Sequence, residues 1–77
     1  MLQKQKKAKN FIVTVHENQM HKLKDIAKSI EADGNRIHNI SKMFGIININ
    51  SGKSLEDLKK KYTHHGVDIE PEGEKSI

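Results

Sequence analysis

From Asn10 to His16 the chain reads N-F-I-V-T-V-H. This run of β-branched and aromatic residues predicts a strand. Phe11, Val13 and Val15 fall on one face, with Ile12 and Thr14 on the other. Both faces are largely apolar, which suits a central strand better than an edge. After Glu17-Asn18-Gln19, apolar positions recur at helical spacing: Met20, Leu23, Ile26, Ala27 and Ile30. His21, Lys22, Lys24, Asp25, Lys28 and Glu31 occupy the opposite side, so the predicted helix has one buried stripe. Asn18 is positioned as its N-cap and Gly34 as its stop.

Arg36 to Ser41 predicts a weaker strand with an internal conflict. Ile37 and Ile40 cannot both face a core if side chains alternate strictly, so a bulge or an early end is required. Gly45 to Asn50 predicts another strand, with Ile47 and Ile49 on one face and Ile46, Asn48 and Asn50 on the other. Lys42-Met43-Phe44 would join these two as an antiparallel hairpin. Ser54 with Asp57 three residues later resembles a capping box at the start of a second helix. Leu55, Leu58 and Tyr62 would face its core side, and Lys59 to Lys61 suit the negative end of the helix dipole. His64-His65-Gly66 ends that helix. Val67 to Pro71 is a last short strand, confined to an edge because proline lacks an N–H.

The predicted order is β-α-β-β-α-β. Short connections and right-handed crossovers make this an α+β, ferredoxin-like sandwich: a four-stranded antiparallel sheet with two helices on one face. The first and third strands would be central and the other face of the sheet open. The chain divides into a disordered basic arm (1–9), the ferredoxin-like domain (10–72) and an extended tail (73–77).

Charge sharpens this division. The net charge of +4 resides in Lys4, Lys6, Lys7 and Lys9, with no acid among the first nine residues. Beyond them bases and acids balance, so the sequence pI of 9.4 describes an arm and not a basic fold. At 77 residues with 34% apolar content, one thin core is expected. No apolar run is long enough to span a bilayer. Phe11 to Val15 is too short for the core of a secretory signal. The absence of cysteine removes disulfides, thiolate metal sites and thiol nucleophiles, and fits a reducing compartment. A cytoplasmic location is the resulting expectation.

Candidate chemistry is sparse. His16, His21, His38, His64 and His65 show no ligand spacing and read as solvated surface residues, so no metal or other cofactor is expected. Gly52-Lys53-Ser54 imitates the end of a phosphate loop, but Ile47 stands where its first glycine belongs. No nucleophile–base arrangement is recognisable, and the lysines lie in polar stretches or on polar faces, so catalysis is not expected. Nucleic-acid binding through the basic arm is an alternative, but the central strands offer no aromatic stacking platform on the open face. More unusual is the alternation of Asp68, Glu70, Glu72 and Glu74 with Val67, Ile69, Pro71 and Gly73. An extended chain would line these acids along one side. That pattern serves to discourage edge-to-edge aggregation, or to place an acidic strand in another protein's groove.

Four stretches together resemble the subtilisin propeptide family, which includes stand-alone fungal proteinase B inhibitors. They are Asn10-Phe11-Ile12-Val13-Thr14, Phe44-Gly45-Ile46, Leu55-x-x-Leu58 and the segment from Val67 to Glu74. The chain is also similar to short bacterial stand-alone proteins of this architecture, some labelled ketohydroxyglutarate aldolase. That activity would need a lysine in an enclosed pocket, for which the domain is too small. The propeptide resemblance implies a non-catalytic module whose open sheet face packs on two surface helices of a subtilisin-like serine protease. By that resemblance Ile12, Thr14, Ile46 and Asn48 belong to the docking face, and Glu70 and Glu72 cap the partner's helices. The tail from Gly73, with Glu74, would enter the active-site cleft, with Ile77 near the scissile position. No membrane partner is implied.

Overall fold

A computed structural model describes residues 8–72. Its elements are β1 (Lys9–Val15), α1 (Leu23–Ala32), β2 (Arg36–Ser41), β3 (Ile46–Ser51), α2 (Leu55–Tyr62) and β4 (Val67–Pro71). The four strands form one antiparallel sheet in the order β2-β3-β1-β4. With two helices against that sheet, the architecture is the α+β ferredoxin-like sandwich that the hydrophobic pattern predicts. The basic arm up to Lys7 and the tail from Gly73 lie outside the described residues, and with them the readings of a disordered arm and an extended tail. Lys9, assigned to the arm, belongs to β1 and pairs with Ser51.

One side of the sheet holds the whole core. Phe11, Val13 and Val15 of β1, Ile47 and Ile49 of β3, and Val67 and Ile69 of β4 are buried there. They pack with Leu23, Ile26, Ala27 and Ile30 of α1 and with Leu58 and Tyr62 of α2. The stripe predicted for α1 is the stripe that is buried. Its start differs, however. Glu17–Lys22 winds as a 3-10 helix, so Asn18 lies inside that turn, and no side chain caps the N-terminus of α1. The tighter winding has a packing reason. It lays the consecutive side chains of Gln19 and Met20 over Gly66 and Gly45, on the two strand starts that flank the end of β1. For α2 the expected cap holds, with the Ser54 hydroxyl accepting from the Asp57 N–H at 3.1 Å.

The conflict in β2 is resolved by a bulge. Pairing steps from Ile37↔Ile49 to Asn39↔Asn48 and then to Ile40↔Ile47, leaving His38 as the extra residue. Ile37 and Ile40 therefore both oppose core-facing partners. At the other edge, Pro71 sits opposite Phe11, and the next N–H, from Glu72, bonds to the Asn10 carbonyl at 2.9 Å. Antiparallel bonding alternates, so the nitrogen of residue 71 faces away from β1 and proline removes no bond there.

A polar cluster ties the second helix to the end of the first. The Tyr62 hydroxyl donates to Asp33 Oδ2. Lys61 Nζ stands 3.4 Å from the same oxygen, and Lys53 Nζ donates to the Asp33 carbonyl at 3.1 Å. Buried Asn35 donates to the Ile30 carbonyl at 2.8 Å, while the Asp33 and Gly34 N–H groups bond to the carbonyls of Ser29, Ile30 and Glu31, so the last turn of α1 is closed by both backbone and side chain. The Tyr62 hydrogen bond, helped by Lys61 and Lys53 against partial burial, holds the Asp33 carboxyl below its ordinary range. Burial, then the Asp33 carboxylate, pushes the Tyr62 phenol well above its ordinary value.

These shifts fix two pH windows. A lowered carboxyl pKa gives stability that is complete above the unfolded value and lost as pH falls through the folded one. A raised phenol pKa gives stability that is complete below the unfolded value of 10.0 and lost as pH rises beyond it. Asp33→Asn should therefore flatten the loss of stability below about pH 4, and Tyr62→Phe the loss above about pH 10. Denaturant midpoints measured across pH check both. Backbone geometry gives another expectation. Gly45 has φ of 65°, and an added Cβ would lie 2.5 Å from Met20 Sδ and 3.2 Å from the Val15 carbonyl oxygen. Gly45→Ala should cost about 2 kcal/mol in urea unfolding. Gly52→Ala, where a Cβ meets nothing within 4 Å, should cost much less.

Candidate functional site

The face of the sheet away from the helices is built by the second half of each alternation. Three transverse rows can be read from the pairing. Arg36, Asn50 and Asn10 form one; Asn39, Asn48, Ile12 and Glu70 the next; Ser41, Ile46, Thr14 and Asp68 the third. Four residues expected to dock a partner, Ile12, Thr14, Ile46 and Asn48, are thus contiguous on the two central strands. Each is half-buried by its neighbours. Glu70 joins them from β4, and Glu72 continues β4 through its N–H to Asn10. Glu74 and Ile77 lie outside the described residues, so their assignment to a protease cleft stays with the resemblance.

Side-chain amides organise this surface. Asn50 Nδ2 donates to Asn10 Oδ1 at 2.9 Å across the β1–β3 pair, and Asn39 Nδ2 to Asn48 Oδ1 at 3.4 Å across the β2–β3 pair. Such cross-strand bonds pair the amides with one another, with half-buried Ile12 and Ile46 between them. At the end of β1, His16 Nε2 donates to Asp68 Oδ2 at 3.0 Å. Both groups are exposed, so this pair orients a carboxylate more than it stabilises the fold. Charge is distributed from edge to edge. Asp68, Glu70 and Glu72 are exposed along β4, while exposed Arg36 stands at the far edge on β2.

Asn50 was placed on this face from the sequence, but Asn10, Asn39, His16 and Asp68 were not. Asn10 shares the period-two phase of Ile12 and Thr14, which was a usable signal. Asn39 and the His16–Asp68 pair depend on the bulge and on the β1–β4 register, which no local pattern carries.

Other chemistry is thin on the described surface. Phe11 is buried on the helix side, so it offers nothing for base stacking. Exposed apolar area concentrates at the β2–β3 turn, where Met43 is 80% and Phe44 69% exposed. Each described lysine is exposed except Lys53, which is half-buried by its bond to Asp33. Among the described residues no group of three or more His, Cys, Asp or Glu side chains is gathered closely enough to hold a metal ion. Among them, too, no helix is long and apolar enough to cross a membrane.

The open face lies outside the core, so it should tolerate change. Ile46→Thr, on the open side, is expected to cost under about 1 kcal/mol in denaturant unfolding. Ile47→Ala, one residue on and fully buried, is expected to cost about 3 kcal/mol.

No protein-family model, curated protein or solved structure matches this chain.

Proposed function

We propose that the chain is a non-catalytic protein-binding module of the subtilisin-propeptide kind, acting in trans on a subtilisin-like serine protease. The observation that supports this reading is the uncovered sheet face. Ile12 and Ile46 sit at its centre among amides already paired with one another, and an acidic strand borders it. Two protease helices laid across this face would bury both isoleucines. Their N-termini would meet Glu70 and Glu72, where carboxylates neutralise the positive helix ends. The segment beyond Glu72 would supply the substrate-like strand. The reading involves no catalytic residue, metal or cofactor of this chain.

The test is inhibition of subtilisin by the full chain, by the chain lacking Glu74 to Ile77, and by an Ile12→Glu, Ile46→Glu variant. The full chain is expected to inhibit at micromolar concentration, with inhibition lost in the other two. Glu70→Gln with Glu72→Gln should weaken binding about tenfold, as two helix-end contacts would. No inhibition by the full chain overturns the reading, and equal inhibition by the shortened chain overturns the role of the tail.

A further inference from the structure

The bulge that reconciles Ile37 with Ile40 creates a feature that the open face does not use. Without the extra residue His38, Ile40 would fall on the open side. With it, Ile40 opposes fully buried Ile47 on the helix side, yet remains 38% exposed. The cause is the stand-off of α1 from the outer edge of β2. Between them runs a groove of about 350 Å³, floored by Ala27, Ile37 and Ile40 and bordered by Lys24, Lys28 and Glu31. Lys24 also borders a second hollow that continues along α1 to Met20, Leu23 and Lys42. Beside this floor β2 is the last strand of the sheet. Among the described residues no strand pairs with its outer side, whose backbone N–H and C=O groups are free to bond.

We infer that this groove and edge together form a second protein-binding site, which takes an extended, acidic and apolar segment of a partner as an added strand on β2. Extended shape follows from the free strand edge, since only another strand satisfies a row of alternating donors and acceptors. Apolar content follows from the floor, where a side chain on the added strand's helix side would cover Ile37 and Ile40. Acidic content follows from charge. Lys24 and Lys28 border the groove against the single carboxylate of Glu31, and Lys42 lines the adjoining hollow. A second copy of this chain joined β2 to β2 would bring these bases against their own equivalents, which favours a foreign acidic strand. The site occupies the helix side of β2 and does not depend on the reading given for the open face.

The experiment is an amide and methyl NMR titration of the full chain with a short capped peptide alternating valine and glutamate. The control peptide alternates valine and lysine. Saturable shifts at β2 amides and at the Ile37 and Ile40 methyls are expected with the acidic peptide, and none with the basic one. Lys24→Glu with Lys28→Glu, both exposed and outside the core, should weaken binding about tenfold. Ile12→Glu on the open face should leave it unchanged. Absence of saturable shifts at millimolar acidic peptide overturns the site, as does equal binding of the basic peptide. Concentration-dependent shifts at β2 without peptide would assign the edge to a second copy and overturn the acidic partner.

Discussion

Phe11, Val13 and Val15 can be buried together only while β1 keeps its register against β3 and β4. A slip of one residue would turn all three to the open side and bring Ile12 and Thr14 inward. The register is fixed from both edges, because β1 pairs residue by residue with β3 on one side and β4 on the other. It is also fixed at one end, where the Val15 N–H bonds to the Gly45 carbonyl and the His16 N–H to the Gly66 carbonyl. Both glycines adopt positive φ and lie directly beneath the side chains of the 3-10 turn. The end of β1 is thus clamped between two backbone turns that residues with a Cβ would strain.

Helix placement depends on this frame but adds its own lock. The apolar stripes of α1 and α2 meet the same sheet face, and hydrophobic burial alone would let short helices shift along it. The bonds from Tyr62 and Lys61 to the Asp33 carboxylate, and from Lys53 to its backbone, join the end of α1 to the second helix and its leading loop. An acid at the C-terminus of a helix opposes the dipole. Here two lysines and a phenol surround it, so a locally unfavourable residue becomes the junction of three segments.

The one-sided core leaves two surfaces with different chemistry. The open face is flat, rich in paired amides and acidic along β4. The β2 edge carries an apolar floor bordered by lysines. Opposite charges therefore stand at opposite edges of one sheet. Pro71 and the β4 carboxylates blunt pairing at the acidic edge. At the basic edge, the bulge bends the strand but leaves two isoleucines core-side and incompletely covered.

Alternation and helical spacing determined most of the architecture. The four strands, the two helices, the central place of β1 and the Ser54 cap follow from local chemistry, because period two and period 3.6 are properties of the backbone itself. Even the irregularity of β2 was legible, since Ile37 and Ile40 are three apart in a strand. The tertiary structure alone decided which segments meet across the sheet. His16 with Asp68, Asn10 with Asn50, and Tyr62 with Asp33 are separated by 52, 40 and 29 residues. Asn18 fails as a cap for the same reason. Long-range packing of Gln19 and Met20 over two glycines outweighs a local preference of about 1 kcal/mol. A sequence records which side of an element is apolar. How far α1 stands from the edge of β2, and so whether Ile40 is covered, depends on how the whole layer packs.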